Sequence, residues 1–323
     1  MITRSWLKRL TVALVLCLIV RTVWLIGKRA WLRAEGDREF AAAVAETESR
    51  DADWSWDKLE GSRTRPAPGK NSIEVIRKVS ELSPKEWLVR NGGGNWAPVA
   101  PSSPANTRYP ERVINSAREV LTSATPAVEL AFTLKDYPHG YARFEVTPDV
   151  ISTLVPHVDE TRHAATLLTW GVELALESQD PVRAVAGLFA MLNTSRAIGD
   201  DPFLVCQMVR MATRAVATRT LERTLAQTQL GEESLRSLQA AWASDAEEPL
   251  LLYGLRGERA LMDLMFKNLT EGVVSVDGEM RKEGRQGWFR LCVVVVPRAI
   301  PERSRVLSPL YDSGSRDRET SDP

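Results

Sequence analysis

The sequence predicts a mainly α protein: an N-terminal transmembrane helix followed by a helical-hairpin, repeat-like bundle, with a small β excursion between them. Three observations predict it. Residues 10–27 form an apolar run flanked by Arg4, Lys8 and Arg9 on one side and Lys28 and Arg29 on the other. Residues 158–269 carry apolar side chains at helical spacing, and Asp180-Pro181, Asp201-Pro202 and Glu248-Pro249 each place a proline where a helix starts. Between these regions, Leu130-Ala-Phe-Thr-Leu134 and Ala142-Arg-Phe-Glu-Val146 are β-favouring runs around the turn-forming Asp136-Tyr-Pro-His-Gly140.

Composition bounds the rest. With 323 residues and 44% hydrophobic content the chain can bury a sizeable core. Its 42 basic and 42 acidic residues cancel, so no long-range field draws it to nucleic acid. Cys17 lies in the apolar run, and Cys206 and Cys292 are far apart, which excludes a disulfide framework and a paired-cysteine zinc site. One Cys206–Cys292 bridge or two buried thiols remain, and the thiols are favoured.

Taken in order, residues 1–9 are a basic flank and residues 10–27 the anchor. A spanning helix needs about 20 apolar residues, so Arg21 must reach an interface by extending its side chain. No small-x-small cleavage site precedes Lys28, which favours an uncleaved anchor over a signal peptide. Basic residues are nearly balanced across the run, so orientation leans only weakly toward a cytoplasmic N-terminus in an inner membrane. Residues 28–91 form a juxtamembrane helical section, in which Trp31, Phe40 and Val44 mark an amphipathic helix over 29–50 and Asn71 or Ser72 caps a helix over 73–82. Residues 92–106 are a Pro/Gly-rich linker. Residues 107–157 mix a helix over 111–123 with the two short strands.

Residues 158–269 divide into helices over 158–177, 181–198, 202–230, 232–245 and 249–269, with Gly231 separating the third from the fourth. In the first pair Gly171 and Ala184 are small where two helices would cross. Residues 270–310 contain a buried strand at Leu291-Cys-Val-Val-Val-Val296, and the polar tail over 311–323 reads as disordered.

Two resemblances accompany this reading. Leu167, Trp170, Gly171 and Leu174, followed by Ala184, Leu188 and Met191, resemble a tetratricopeptide hairpin, without a clean second copy. A one-off hairpin and a true repeat array both remain open. The chain up to about Leu269 also resembles a family of bacterial single-pass membrane-anchored helical proteins. That resemblance rests on Ala45-Glu-Thr-Glu-Ser-Arg-Asp-Ala-Asp-Trp54, Asn71-Ser72, Pro84-Lys-Glu-Trp87, Tyr137-Pro-His-Gly140 and Gly254-Leu-Arg-Gly-Glu-Arg-Ala260. It implies a membrane location and helical architecture, and no particular reaction.

The best chemical cluster is His157-Val-Asp159-Glu160-Thr-Arg-His163, in which His157, Glu160 and His163 could serve a metal. The favoured reading is a polar helix start, with the two acids opposing the helix dipole, and no metal or other cofactor is expected. Gly69-Lys70 lacks the upstream glycine of a phosphate-binding loop, and no Gly-x-Ser-x-Gly elbow occurs. Arg210, Arg214, Arg219 and Arg223 read as a solvated face of one helix. Arg256, Glu258 and Arg259 read as an ion-pair brace between helices, with a ligand contact as the alternative. The expectation is therefore a membrane-tethered helical scaffold for a protein partner. The alternative is a metal-assisted enzyme using His157, Glu160 and His163.

Overall fold

The computed structural model describes residues 4–84, 103–143 and 145–274, with side chains described from Val12 onward. The chain is helical, and no strand forms among the described residues. Ten α-helices and one 3-10 turn are described: α1 (Arg4–Arg50), α2 (Trp56–Ser62), α3 (Ser72–Leu82), α4 (Glu111–Ser123), α5 (Thr125–Phe132), the 3-10 turn Thr133–Asp136, α6 (His157–Glu177), α7 (Pro181–Arg196), α8 (Leu204–Gln227), α9 (Glu232–Ala246) and α10 (Leu250–Thr270). Two compact units result. Among the described residues, the larger takes those up to Glu145 with Leu154–Met262, and the smaller takes Val146–Thr153 with 263–274.

The anchor and the juxtamembrane helix expected separately are one continuous helix of 47 residues. No Pro or paired glycines interrupt it, and Asp51 follows its last turn. Trp31 and Phe40 are 62% and 53% exposed, so the expected juxtamembrane amphipathic face buries neither aromatic. No helix among the described residues is long and apolar enough to cross a membrane. Counted from Val12, the apolar stretch carries Arg21 and stops at Lys28 and Arg29.

The core of the larger unit is built by α3, α5, α6 and α7. Ile73, Ile76 and Val79 recur every three residues along one face of α3 and are almost fully buried. Asn71 starts that helix by accepting from the Ile73 N–H at 3.2 Å, a side-chain cap that satisfies one orphan donor. Helix α7 opens with Pro181 and is capped by Asp180, whose carboxylate accepts from the Arg183 N–H at 2.9 Å. It packs against α6, α8 and the 3-10 turn, and buries Leu188, Met191 and Leu192 completely. Each such leucine contributes about 1.5–3 kcal/mol of transfer free energy.

The tetratricopeptide expectation finds no support in this packing. A repeat array joins each unit only to its neighbours in sequence, whereas here α3 packs on α6, three helices further on, as well as on α5. The helices therefore close into a bundle. Gly171 and Gly187 explain the close contacts within it: Phe132 of α5 lies over both, 2.7 Å from where a Cβ would stand on Gly171, and Val172 meets Gly187. The expected crossing at Gly171 is thus a seat for Phe132.

The β excursion is corrected. Leu130 and Ala131 belong to α5, and Thr133 and Leu134 to the 3-10 turn that follows. The Leu134 and Lys135 carbonyls accept from the Asn193 amide at 3.0 Å each. Farther on, Asn71 bonds both the N–H and the carbonyl of Tyr141, Ser72 binds the His139 carbonyl, and Arg63 donates to the Ala142 carbonyl. Side chains from distant helices thus occupy backbone groups that a strand ladder would need. In the smaller unit, Thr147, Asp149, Ser152 and Thr153 close a hydrogen-bonded turn around Val150, and Asn268 donates to the Pro148 carbonyl at 2.8 Å. Residues 92–102 of the expected linker, the strand over 291–296, Cys292 and the tail over 311–323 lie outside the described residues.

Candidate functional site

The most chemically loaded place in the larger unit is the N-terminal end of α6. His157 is its first residue, Asp201 lies in the α7–α8 connection, and Cys206 is in the first turn of α8. All three are buried, and their ligand-type atoms lie within 4.8 Å of one another. His157 Nε2 is 3.1 Å from Asp201 Oδ2 and 3.7 Å from Cys206 Sγ. Asp201 Oδ1 accepts from the Phe203 N–H at 3.0 Å, which fixes the carboxylate.

Arg63 lies beside the Asp201 oxygen that faces His157. Its Nη2 is 3.8 Å from Asp201 Oδ2, its Nη1 donates to Glu60 at 3.0 Å, and its Nε is 3.7 Å from Asp200. The guanidinium also stacks on Tyr141, with 4.5 Å to the ring centroid. That position suits a planar cation with several donors.

This cluster is not an activated cysteine nucleophile. A nucleophilic dyad with an orienting acid uses the two ring nitrogens separately, one toward the thiol and one toward the acid. Here the same nitrogen faces both. Burial and the neighbouring Asp201 carboxylate push the Cys206 thiol up, the opposite of the lowered value that makes a reactive thiolate.

The residues singled out from sequence are dispersed. His163 lies on α6 with His157, yet its Nε2 meets Ser83 Oγ at 2.7 Å at the end of α3. Glu160 joins neither group, and one of its carboxylate oxygens is buried without a hydrogen-bond partner among the described residues. His157, Glu160 and His163 therefore do not converge. Burial lowers His163 to about 4 from 6.5. Between those values the unfolded chain binds a proton that the folded chain refuses, so stability falls as pH drops from 6.5 to 4. The slope is about 1.4 kcal/mol per pH unit. Urea unfolding at pH 7, 5.5 and 4.5 should show that slope flattened by this amount in His163→Gln; equal slopes in both proteins reject the assignment.

Arg256, Glu258 and Arg259 lie on α10. Arg256 binds Asp51 through two bonds of 2.8 and 2.7 Å, and Arg259 adds a third at 2.5 Å, clamping the end of α1. The two guanidiniums hold the Asp51 carboxyl below its usual range, against an opposing desolvation. Glu258 accepts from the Leu204 N–H at 3.1 Å and satisfies the start of α8.

Arg210, Arg214 and Arg223 of α8 correct the solvated-face expectation, whereas Arg219 is exposed as expected. Arg210 and Arg223 are 3% exposed. Arg223 forms a two-bond pair with buried Glu173 of α6, at 2.6 and 3.0 Å. Arg210 and Arg214 join Arg196 around Asp245, which is 2% exposed. Acids on α6 and at the end of α9 thus draw Arg210, Arg214 and Arg223 inward, a pairing invisible within α8 itself. Cys206 is a free thiol. The sequence reading takes Asp201 as a helix start and Cys206 as a buried thiol and does not single out Arg63, so it misses their grouping, although Asp200-Asp201-Pro202 supplies two acids where one cap would serve.

A separate open cleft of about 260 Å³ lies among α4, α5, α6 and α7, lined by Arg118, Leu121, Glu129, Leu174 and Arg183. Arg183 and Glu129 pair across it. No protein family, curated protein or solved structure matches the chain.

Proposed function

We propose that this protein is a membrane-tethered helical interaction module, held by α1 and presenting the bundle to a protein partner. The observation that carries the reading is the apolar sleeve of α1. From Val12 to Ile26 its large apolar side chains are 44–64% exposed on every side of the helix. A partner helix could cover one stripe, whereas lipid covers the whole circumference. With Leu10 and Thr11 included, the run over residues 10–27 comes to about 27 Å at about 1.5 Å per residue, close to the ~30 Å hydrocarbon thickness. Lys28 lies over the Trp24 ring, 5.1 Å from its centroid, a pairing suited to the headgroup boundary. The N-terminus then lies in the cytoplasm and the bundle on the far side.

The Asp51 clamp supports a positioning role, because it joins the end of α1 to α10 through two arginines. On α10, Leu251, Leu252 and Leu255 are each more than half exposed and offer the bundle's partner an apolar face. Full-length protein should stay in the membrane pellet after carbonate extraction. Leu14→Lys with Leu18→Lys should move most of it to the supernatant, since each lysine near mid-membrane costs about 2.5–3.5 kcal/mol. Wild-type protein found mainly in the supernatant would discard the tether. A stoichiometric partner recovered from detergent-solubilised membranes, and lost with Leu255→Lys, supports the interaction role; recovery of the chain alone refutes it.

A further inference from the structure

We propose that His157, Asp201 and Cys206 bind one zinc-class divalent cation that ties the start of α6 to the α7–α8 connection. The distances are the first argument. With zinc–sulfur near 2.3 Å and zinc–nitrogen or zinc–oxygen near 2.0–2.2 Å, tetrahedral ligands stand about 3.5 Å apart for S and N and about 3.3 Å for N and O. The cluster shows 3.7 Å for Cys206 Sγ to His157 Nε2 and 3.1 Å for His157 Nε2 to Asp201 Oδ2. All three donor atoms lie within 4.8 Å of one another, and a single ring nitrogen faces both partners. That arrangement serves a shared cation better than it serves proton relay.

Charge is the second argument. The Arg63 guanidinium meets three carboxylates, those of Glu60, Asp200 and Asp201. Of these only Asp201 is fully buried, and a divalent ion would share its charge with Arg63. The Phe203 N–H holds the other Asp201 oxygen, Oδ1, as outer partners of metal-bound carboxylates do. Donor chemistry is the third: thiolate with imidazole and carboxylate selects zinc over magnesium or calcium. On binding, the Cys206 thiol releases its proton to solvent and the sulfur bonds the metal as thiolate. A bound cation reverses the unfavourable setting that burial and Asp201 impose on that thiolate.

The test is elemental analysis of the full-length chain, purified in detergent without a metal-binding tag from zinc-replete cells. About one zinc per chain is expected. Cys206→Ala and Asp201→Asn should each remove most of it, and His163→Gln, which changes a buried histidine outside the cluster, should keep it. Should the first two variants fail to fold, chelator-treated wild type is titrated with cobalt(II). Thiolate-to-cobalt charge transfer with tetrahedral ligand-field absorption supports the site. Wild type that carries no zinc and shows no such band overturns the proposal, as does zinc retained unchanged in Cys206→Ala.

Discussion

Replacing Asp245 with alanine is expected to destabilise the bundle by about 3–5 kcal/mol, the usual cost of stripping one partner from a buried ion pair. Asp245 closes α9 and takes Arg196 at 3.0 Å, Arg214 at closer range and Arg210 at 3.8 Å. Arg210 bears most of the loss, because its side chain is 4% exposed and burial already works against its charge. Its remaining contacts are the Gly199 carbonyl at 2.7 Å and Glu248 at 3.8 Å, and neither equals a buried carboxylate. Arg196 and Arg214 reach water more easily and contribute less. Adding Arg210→Met to Asp245→Ala should recover a substantial part of the loss, since the orphaned charge disappears with its partner. Urea unfolding followed by tryptophan fluorescence measures both. A loss below about 1 kcal/mol for Asp245→Ala would mean that water reaches this cluster freely.

The second large effect is expected at Gly257. A Cβ there would overlap the Pro202 carbonyl, so α10 and the α7–α8 connection touch backbone to backbone. No side-chain rotation relieves such a clash. Gly257→Ala should cost about 3 kcal/mol or more, at the upper end of overpacking effects. Two neighbouring tests locate the cause. At Gly254 the added atom would meet Leu204, whose side chain at 2.9 Å can move although its Cα at 3.0 Å cannot, so Gly254→Ala should cost less. Gly36 on α1 has nothing within 4 Å, and Gly36→Ala should be neutral or stabilising by up to about 1 kcal/mol. A Gly257→Ala protein as stable as wild type would show that α10 does not press on Pro202. Because Pro202 follows Asp201, the same substitution should also disturb the His157 cluster.

What the sequence by itself determined is the helical punctuation of the bundle. Pro181, Gly231 and Pro249 mark starts of α7, α9 and α10 to within two residues, because their backbone limits act locally. The periodic Ile73, Ile76 and Val79 likewise announce a buried face before any partner is known. Tertiary structure alone decided the fate of residues 130–142. Their β propensity lost to hydrogen bonds from Asn71, Arg63 and Asn193, residues 59 to 79 positions away. It also decided the site. His157 was legible as a polar helix start, but Asp201 and Cys206 lie 44 and 49 positions further on and Arg63 lies far upstream. Spacing rules register ligands on one helix or one loop, whereas this cluster is assembled from the end of α2, the start of α6 and the α7–α8 connection with the first turn of α8. The same holds for Arg210, Arg214 and Arg223 of α8, whose inward placement depends on Glu173 and Asp245 supplying charge from other helices. Local stereochemistry thus sets where helices begin and end, and the pairing of buried charges across helices sets which polar residues meet.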